Sequence, residues 1–385
     1  MPPHHIGSVR PDYNRPVQEF DAIVIGGGPA GSIAALFLAQ AGRRVALLEQ
    51  RCFPRNKVCG ECLSSNGIDV LTRLGVAERI RKLGAVSLRR TILHASGGET
   101  ASLDLPREMW GISRRAMDVE LLDAARDAGA TVLQPMRCQR IVAGPEPIVH
   151  AVDLPSRHTV ELRARWIIVA DGKAALLGNV PAATTDFGVK RHWRGVDAPG
   201  DAVELFGMDG HYGGLAPIEG SRWNTAFSVP QPLLAAHRGD LDALFAQMVE
   251  SSAGLGQRMR HASPDGPWLT SPLPRFAVQP HWADHVIPIG NAAAALEPIG
   301  GEGMGLAMRS GEMAAIAVDE AIAAAGEVNV VRLRRAFRRL WRTRAAGYRA
   351  LAVMMSQRTT ARLITQAASL LAPVASHIVR TLKTI

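Results

Sequence analysis

Cysteine is scarce in this sequence. The 385 residues include only Cys52, Cys59, Cys62 and Cys138. So few cysteines in so long a chain exclude the disulfide framework of a small secreted domain and favour a reducing compartment. We therefore expect a cytoplasmic protein.

Long apolar segments are missing as well. No uninterrupted apolar run reaches the roughly 20 residues that a membrane-spanning helix needs, although 47% of the residues are hydrophobic. Residues 1–20 include four prolines and lack the apolar core of a signal peptide. We interpret these residues as a disordered lead-in to a globular chain.

Acidic side chains are absent from the C-terminal segment, residues 329–385. This segment carries twelve basic residues, namely Arg332, Arg334, Arg335, Arg338, Arg339, Arg342, Arg344, Arg349, Arg358, Arg362, Arg380 and Lys383. The net charge of the whole chain is +9, so the part before this segment is slightly acidic.

A localised basic segment predicts an acidic partner or surface. Anionic phospholipid headgroups and an acidic carrier protein both fit, and the first would make this a peripheral membrane protein. No motif that reads nucleic acid accompanies the charge, so we expect no nucleic-acid partner. Apolar residues also recur at helical spacing, and core packing explains them as well as membrane contact does. They are Leu363, Ile364, Ala367, Leu370, Leu371, Val374 and Ile378.

A glycine-rich turn near the N-terminus joins two predicted strands. Residues 21–26 form a short apolar run that leads into Gly-Gly-Gly-Pro-Ala-Gly at 26–31. A helical pattern follows over 32–41, and a second buried strand over 44–49 ends on an acid. This order of strand, Gly-x-Gly-x-x-Gly, helix, strand and acid is the dinucleotide-binding fingerprint.

Each residue of the fingerprint has a physical role. Gly26 allows the tight turn, Gly28 lets the backbone approach a pyrophosphate, and Gly31 lets the helix and strand pack closely. Ala30 belongs to the same turn, whose N–H groups and helix dipole would face the phosphates. The Glu49 carboxylate can accept hydrogen bonds from the ribose hydroxyls.

Four later segments carry further motifs. Residues 53–61 end in Lys-Val-Cys-Gly-Glu, and residues 114–122 read Arg-Arg-Ala-Met-Asp-Val-Glu-Leu-Leu. Residues 166–172 end in Asp-Gly, and 286–305 contain Gly-Asn-Ala-Ala, then Glu-Pro-Ile-Gly-Gly-Glu-Gly-Met-Gly. With the fingerprint, these segments resemble the FAD-dependent oxidoreductases that share the para-hydroxybenzoate hydroxylase fold, and most of all their geranylgeranyl reductase-like branch.

The resemblance implies FAD as the cofactor and places several residues around it. The loop with Cys59, Gly60 and Cys62 would pass beside the flavin, Arg114 would reach the FAD, and the backbone of Cys138 would touch the adenine end. Glu61 lies in the same loop, and we name Cys59 and Glu61 as candidate catalytic residues.

The two remaining motifs depart in part from the family. Asp171 belongs to the Asp-Gly motif, but Lys173-Ala174-Ala175 stands where a serine is usual. Asn291 replaces the aspartate that binds the flavin ribityl hydroxyls; an amide still offers an acceptor and adds donors. Gly303 and Met304 open a helix whose N–H groups would face the flavin and stabilise negative charge on it.

The resemblance also implies an α/β fold in three parts. A discontinuous Rossmann-like FAD-binding domain would comprise residues 21–88, 112–178 and 270–328. An inserted β-sheet substrate domain would comprise 89–111 and 179–269, and basic C-terminal helices 329–385. Within the substrate domain, the segments starting at Tyr212 and Trp223 predict two strands of the sheet that covers the flavin.

More specific functions suggested by single residues have less support in the sequence. Cys59 and Cys62 form a C-x-x-C that could be a redox dithiol, but no second dinucleotide fingerprint accompanies it. No other Cys or His pair nearby has zinc-ligand spacing, so we expect no metal. Lys82 resembles the lysine segment of flavin-dependent halogenases, but their Trp-x-Trp-x-Ile-Pro motif is missing. His211 could donate a proton, although we favour a plain strand residue.

The expected function is that of an FAD-dependent oxidoreductase driven by NADPH or NADH, since the flavin supplies the redox chemistry. It would act on a hydrophobic or aromatic small molecule, as a hydroxylating monooxygenase or as a double-bond reductase of the geranylgeranyl reductase type. A halogenase and a non-catalytic flavin-binding protein remain as alternatives.

Overall fold

The computed structural model describes residues 18–173, 176–177, 186–273 and 275–370. Its strands, in chain order, are β1 (Gln18–Ile25), β2 (Val45–Leu48), β3 (Cys62–Leu63), β4 (Val86–Ala95), β5 (Thr100–Gly111), β6 (Thr131–Leu133), β7 (Met136–Val142), β8 (Ile148–Asp153), β9 (Thr159–Val169), β10 (Asp186–Arg194), β11 (Ala202–Gly207), β12 (Tyr212–Ile218), β13 (Arg222–Pro230), β14 (Ser263–Pro264), β15 (Leu269–Pro272) and β16 (Val286–Pro288).

Its α-helices are α1 (Pro29–Gln40), α2 (Ser65–Arg73), α3 (Ala77–Lys82), α4 (Arg114–Asp127), α5 (Gln231–Ala236), α6 (Leu241–Ser251), α7 (Ala253–Met259), α8 (Gly303–Ala323), α9 (Val330–Met355) and α10 (Arg358–Leu370). Two short 3-10 turns, Gly290–Ala292 and Pro298–Gly300, precede α8. This mixture of strands and helices confirms the predicted α/β class.

The first sheet has β1 at its centre. In the described residues its strand order is β6-β2-β1-β9-β8-β7, with β16 beside β9. β1 pairs in parallel with β2 and with β9, whereas β7, β8 and the start of β9 pair antiparallel. Residues 22–25 are all buried, as expected for a parallel strand that is covered on both faces.

Helices α1, α4 and α8 cover one face of the first sheet. α1 and α8 can approach closely because a Cβ at Gly311 of α8 would collide with the Ala30 carbonyl oxygen of α1. The turn before α1 is equally tight, since a Cβ at Gly31 would collide with the Gly26 carbonyl oxygen. This packing holds the start of α1 and the start of α8 at the same edge of the sheet.

The second sheet lies over that edge. Its order is β14-β10-β13-β12-β11-β4-β5-β3 in the described residues, with β15 beside β10. β12 and β13 are the two antiparallel strands predicted from Tyr212 and Trp223. Because side chains alternate along a strand, the two faces differ. Trp193, Trp223 and Phe227 pack beneath α6 and α7 on the outer face.

The inner face of the second sheet carries much smaller side chains. Gly214 of β12 lies opposite Ala226 of β13. Gly188 and Ser228 form the next pair along the sheet. These small residues leave space between the second sheet and the helices of the first.

The C-terminal segment forms α9 and α10. α9 packs on α8 and on the Pro298–Gly300 turn, and α10 packs on β4 and β5. α10 contacts the protein through Ala361, Thr365 and Ala368, so Leu363 and Leu370 of the predicted apolar stripe are exposed. The stripe residues Leu371, Val374 and Ile378 lie outside the described residues, as do Arg380 and Lys383.

Two other predictions also fall largely outside the described residues. The disordered lead-in was predicted for 1–20; residues 1–17 are not described, and β1 begins at Gln18. Ala174 and Ala175 after the Asp-Gly motif are likewise not described. Within the described ranges, no helix combines the length and apolar character that crossing a membrane requires.

Candidate functional site

A cavity of about 260 Å³ lies between the two sheets, at the edge where α1 and α8 begin. One wall comes from the loops of the first sheet and another from the inner face of β10 to β13. The cavity brings together ten of the residues predicted from the sequence: Gly28, Ala30, Cys59, Gly60, Glu61, Cys62, Arg114, Asn291, Gly303 and Met304.

The other predicted residues lie next to the cavity or away from it. Gly26 has φ +108°, and a Cβ there would collide with the Ala170 carbonyl oxygen, so it shapes the turn as expected. Glu49 Oε2 accepts the Gly27 N–H at 2.8 Å and its Oε1 accepts the Arg51 N–H at 2.7 Å. These two backbone hydrogen bonds to Glu49 stabilise the glycine turn.

Asp171 and Cys138 do not line the cavity. Asp171 Oδ2 accepts the Leu176 N–H at 2.9 Å, and burial raises the pKa of its carboxyl group. Cys138 lies on β7, where burial raises the pKa of its thiol to about 12. The thiol is therefore unreactive at neutral pH.

Two helix N-termini open onto the cavity, and their backbone suits a dinucleotide. α1 starts after Gly28 and α8 after Glu302, and neither has a side-chain cap or an acid in its first turn. A Cβ at Gly60 or Gly303 would meet no atom within 4 Å. Uncapped N–H groups at the positive end of a helix dipole bind phosphates and other anions. The residues present therefore fit a flavin dinucleotide.

Positive charge surrounds the start of α1. Arg114 donates from Nε and Nη2 to Asp118 at 2.6 and 2.7 Å, and Arg55 lies 3.6 Å from the same carboxylate. Burial, with Arg114 and Arg55 nearby, lowers the pKa of Lys57 to about 8. Burial likewise lowers the pKa of Lys173 to about 8. An anionic group bound here would raise the pKa of both lysines again, because it favours their charged forms.

The Cys59–Cys62 loop is fixed by Glu61. This carboxylate is fully buried. It accepts hydrogen bonds from the Lys190 ammonium, from His192 Nε2 at 2.6 Å and from the Arg114 backbone N–H at 2.8 Å. Burial alone would raise the pKa of Glu61, but Lys190 and His192 hold it below its usual value. Glu61 thus ties the loop to β10 of the second sheet.

Neither cysteine of this loop is part of a disulfide. Cys59 Sγ accepts the Glu61 N–H at 3.4 Å, and Cys62 Sγ donates to the Gly60 carbonyl oxygen at 3.5 Å. Within the described ranges, no group of three or more His, Cys, Asp or Glu side chains could hold a metal ion.

A tyrosine of β12 also lines the cavity. The Tyr212 hydroxyl donates to Glu297, whose other carboxylate oxygen lies 2.6 Å from Arg275 Nε and 3.2 Å from Arg349 Nη1. Burial and the Glu297 charge raise the pKa of Tyr212 well above its ordinary value, so the hydroxyl keeps its proton. His211, in contrast, does not line the cavity; its Nδ1 faces the Asp209 carbonyl oxygen at 2.9 Å.

Helix α9 closes one side of the cavity with Trp341 and Tyr348. The Tyr348 ring packs against Gly300, where any side chain would overlap it. Between these aromatics, Arg344 Nε donates to Glu302 Oε2 at 2.8 Å, and both side chains are buried. The C-terminal segment is therefore part of the cavity wall and is joined to the loop before α8.

Sequence reasoning missed Lys190, His192, Tyr348 and the role of Tyr212. Lys190 and His192 are polar residues two apart in a strand, which puts them on one face of a sheet. That pattern signals a polar contact but does not identify Glu61 as its partner. No local signal pointed to Tyr348. The buried face of α9 includes an arginine, so hydropathy does not mark that face in the sequence.

Three comparisons bear on this site. The family model described as "FAD binding domain" matches residues 19–201. The menaquinone reductase of Mycolicibacterium smegmatis is 29% identical over 330 residues, which is 77% of this chain and 75% of that protein. Digeranylgeranylglycerophospholipid reductase 2 of Methanopyrus kandleri is 26% identical over 322 residues, 79% of this chain and 78% of that protein.

Among solved structures, the flavin-dependent brominase Bmp2 superposes with a TM-score of 0.81. The match covers 95% of this chain and 94% of the brominase chain at 19% sequence identity. At that identity the likeness shows the fold.

Proposed function

This chain belongs to the FAD-dependent oxidoreductases with the para-hydroxybenzoate hydroxylase fold, and from that premise we propose that it reduces a carbon–carbon double bond in a hydrophobic small molecule. FAD is its cofactor, and NADPH or NADH is the proposed electron donor. The observation that carries the proposal is the cavity itself, which has uncapped helix N-termini at one end and small or apolar residues along the inner face of the second sheet.

The proposed cofactor site uses backbone more than side chains. The N–H groups that follow Gly28 would hold the pyrophosphate, and those at Gly303 and Met304 would face the flavin ring. Asn291 would hold the ribityl chain, and Glu49 the ribose. Lys57 and Arg114 add positive charge beside the phosphates.

Bound FAD would supply a hydride, taken from NAD(P)H, to one carbon of the double bond. The other carbon then needs a proton, and we assign this proton to the Tyr212 hydroxyl, which lines the cavity. In the structure that hydroxyl donates a hydrogen bond to Glu297, which Arg275 and Arg349 hold in place, so it must rotate toward the substrate to deliver its proton. Tyr212→Phe should slow substrate reduction about a hundredfold and leave the reduction of the flavin unchanged.

The substrate class follows from the walls of the cavity. Val203, Leu205, Leu215, Ile299 and Trp341 are apolar, and a pocket of this kind favours a hydrophobic body. By name, the two relatives reported above are a menaquinone reductase and a digeranylgeranylglycerophospholipid reductase, which supports a lipid-like substrate. The basic C-terminal helices add an anionic partner to the proposal.

Hydroxylation of an aromatic ring is the second candidate, because the same cavity would accept a flat ring over the flavin. The halogenase alternative is not favoured: Lys82 is exposed at the end of α3 and does not line the cavity.

Product analysis separates the two candidates. FAD-loaded protein is incubated with NADPH and a prenylated naphthoquinone, with and without oxygen. Double-bond reduction predicts a product that gains two hydrogens in its prenyl chain under anaerobic conditions and keeps them after the quinol is reoxidised in air. A product that forms only with oxygen and gains an oxygen atom would overturn the reductase in favour of the hydroxylase.

A further inference from the structure

Eight of the ten arginines of α9 and α10 fall into two groups. Four of them contact the rest of the protein. Arg344 pairs with Glu302, Arg349 with Glu297 and Arg362 with Glu99, and Arg358 donates to Ser96. The structure therefore uses these four internally.

The second group forms a charged face on α9. Arg335, Arg338, Arg339 and Arg342 are all exposed. Residues three and four apart share one face of a helix, so the four side chains lie together. None of them forms an ion pair with a carboxylate anywhere in the described part of the chain. Four unneutralised charges on one face repel each other unless an anionic partner covers them.

Apolar residues lie on the same line of the helix. Val331 is 58% exposed one turn before Arg335, and Val353 is 42% exposed beyond Arg342. On α10, Leu363 and Leu370 are 59% and 83% exposed. Clustered basic residues attract a helix to anionic headgroups, and exposed apolar residues beside them can add shallow burial in the interface. An acidic protein would use the charges and leave the apolar side chains unexplained.

We propose that α9 docks the protein on an anionic phospholipid surface through Arg335, Arg338, Arg339 and Arg342, with Val331 and Val353 inserting at the two ends. Phospholipid headgroups neutralise the arginines, and the upper acyl region takes the apolar side chains. The exposed leucines of α10 extend the apolar contact.

The opposite face of α9 gives this docking a consequence for the substrate. Trp341 and Tyr348 on that face line the cavity. An α-helix with its side chains is about 10 Å across, so docking puts the cavity one helix diameter from the lipid. A lipid-like substrate could then enter without crossing bulk water. This substrate class rests on the proposed function, whereas the docking itself does not.

Vesicle co-sedimentation of the FAD-loaded full chain tests the docking. One set of vesicles contains phosphatidylcholine alone and the other phosphatidylcholine with phosphatidylglycerol, each at low and high salt. The proposal predicts much stronger binding to the anionic vesicles than to the neutral ones at low salt, and a smaller difference at high salt. Replacing all four arginines by glutamine should lower the binding constant at least about a hundredfold, since each contributes about fivefold near an anionic surface.

A matched variant controls for the change in net charge. Arg89, Arg157, Arg238 and Arg260 are also exposed, and replacing these four by glutamine should leave vesicle binding nearly unchanged. The flavin absorbance of each variant shows that it stays folded. Val331→Ser with Val353→Ser should weaken binding at high salt, where the apolar contribution dominates.

Three results would overturn the proposal. Equal binding to neutral and anionic vesicles would remove the electrostatic contribution, and equal losses in the two quadruple variants would remove the role of α9. Binding of an acidic carrier protein that needs the α9 arginines, without any vesicle binding, would assign this face to a protein partner. Since co-sedimentation does not depend on turnover, these outcomes are separate from a failure of the proposed reaction.

Discussion

Arg344 of α9 and Glu302 of the loop before α8 form a buried ion pair with Nε and Oε2 2.8 Å apart. The next residue after Glu302 is Gly303, whose backbone faces the cavity at the start of α8. The C-terminal helix and the loop proposed to contact the flavin are thus held in one arrangement. Because a buried charge without its partner is costly, movement of α9 would disturb this loop.

Gly28 offers a test of cofactor binding that does not depend on folding. A Cβ there would meet only Arg114 Nη2, at 3.7 Å, so Gly28→Val should fold normally and yet occupy the proposed pyrophosphate position. We expect purified Gly28→Val to contain no FAD. Gly200→Val is the matched control, since a Cβ at Gly200 meets no atom within 4 Å. The flavin content of the two purified variants tests this prediction. A normal flavin content in Gly28→Val would show that the pyrophosphate binds elsewhere.

Asn291 tests the assignment of the ribityl contact. It lies in the Gly290–Ala292 turn and lines the cavity. We expect Asn291→Asp to bind FAD as tightly as the wild type or more tightly, because a carboxylate is the better acceptor for hydroxyl donors. Asn291→Leu, which has no acceptor, should bind more weakly. Titration of the apoprotein with FAD measures both, and a large loss in Asn291→Asp would refute the assignment.

Cys59 and Cys62 are expected to remain thiols throughout turnover. Their sulfur atoms contact different backbone groups of the loop, and the proposed reaction needs no dithiol. Thiol titration of the unfolded protein should give the same count before and after flavin reduction. Additional thiols on reduction would revive a disulfide exchange role. Cys59→Ser should still change the rate of turnover, because the loop lines the cavity.

We expect Glu61 to contribute more to the stability of the folded protein than to the reaction. Glu61→Gln would leave the buried Lys190 ammonium without a counter-charge, which costs about 3–5 kcal/mol of unfolding free energy. Removing both charges, in Glu61→Gln with Lys190→Met, should recover most of this loss. Urea unfolding measures all three proteins. A loss below about 1 kcal/mol in the single variant, as for an exposed pair, would contradict this account.

The same carboxylate predicts a pH dependence. The pKa of Glu61 is lower in the folded protein than its ordinary value. The stabilisation is therefore present above the unfolded pKa and is lost as the pH falls through the lower, folded pKa. Glu61→Gln should lack this acid-induced loss.

The parts of the fold that depend on local sequence could be predicted. The glycine turn, α1 and the acid at the end of β2 follow from spacing and period alone. The Glu61 cluster could not be predicted, because Lys190 and His192 lie 129 and 131 residues further along the chain. Only the pairing of β10 with the second sheet brings them to the loop.

The contacts of the C-terminal segment could not be predicted from the sequence either. Charge alone revealed a basic segment, but not which arginines are used internally. The spacing of the apolar stripe that begins at Leu363 is compatible with core packing and with membrane contact. In the structure Ile364 of this stripe is half-buried, whereas Leu363 and Leu370 are exposed. This outcome depends on which face of α10 meets β4 and β5, and helical spacing does not specify that.

Anaerobic stopped-flow spectroscopy of the FAD-loaded protein decides whether NADPH or NADH drives the flavin. The protein is mixed with NADPH, and separately with NADH, and then with a prenylated naphthoquinone. We expect at least one nucleotide to bleach the flavin absorbance and the quinone to restore it. A flavin that neither nucleotide reduces, in protein that binds FAD normally, would contradict an NAD(P)H-driven oxidoreductase and favour a flavin-binding protein without turnover.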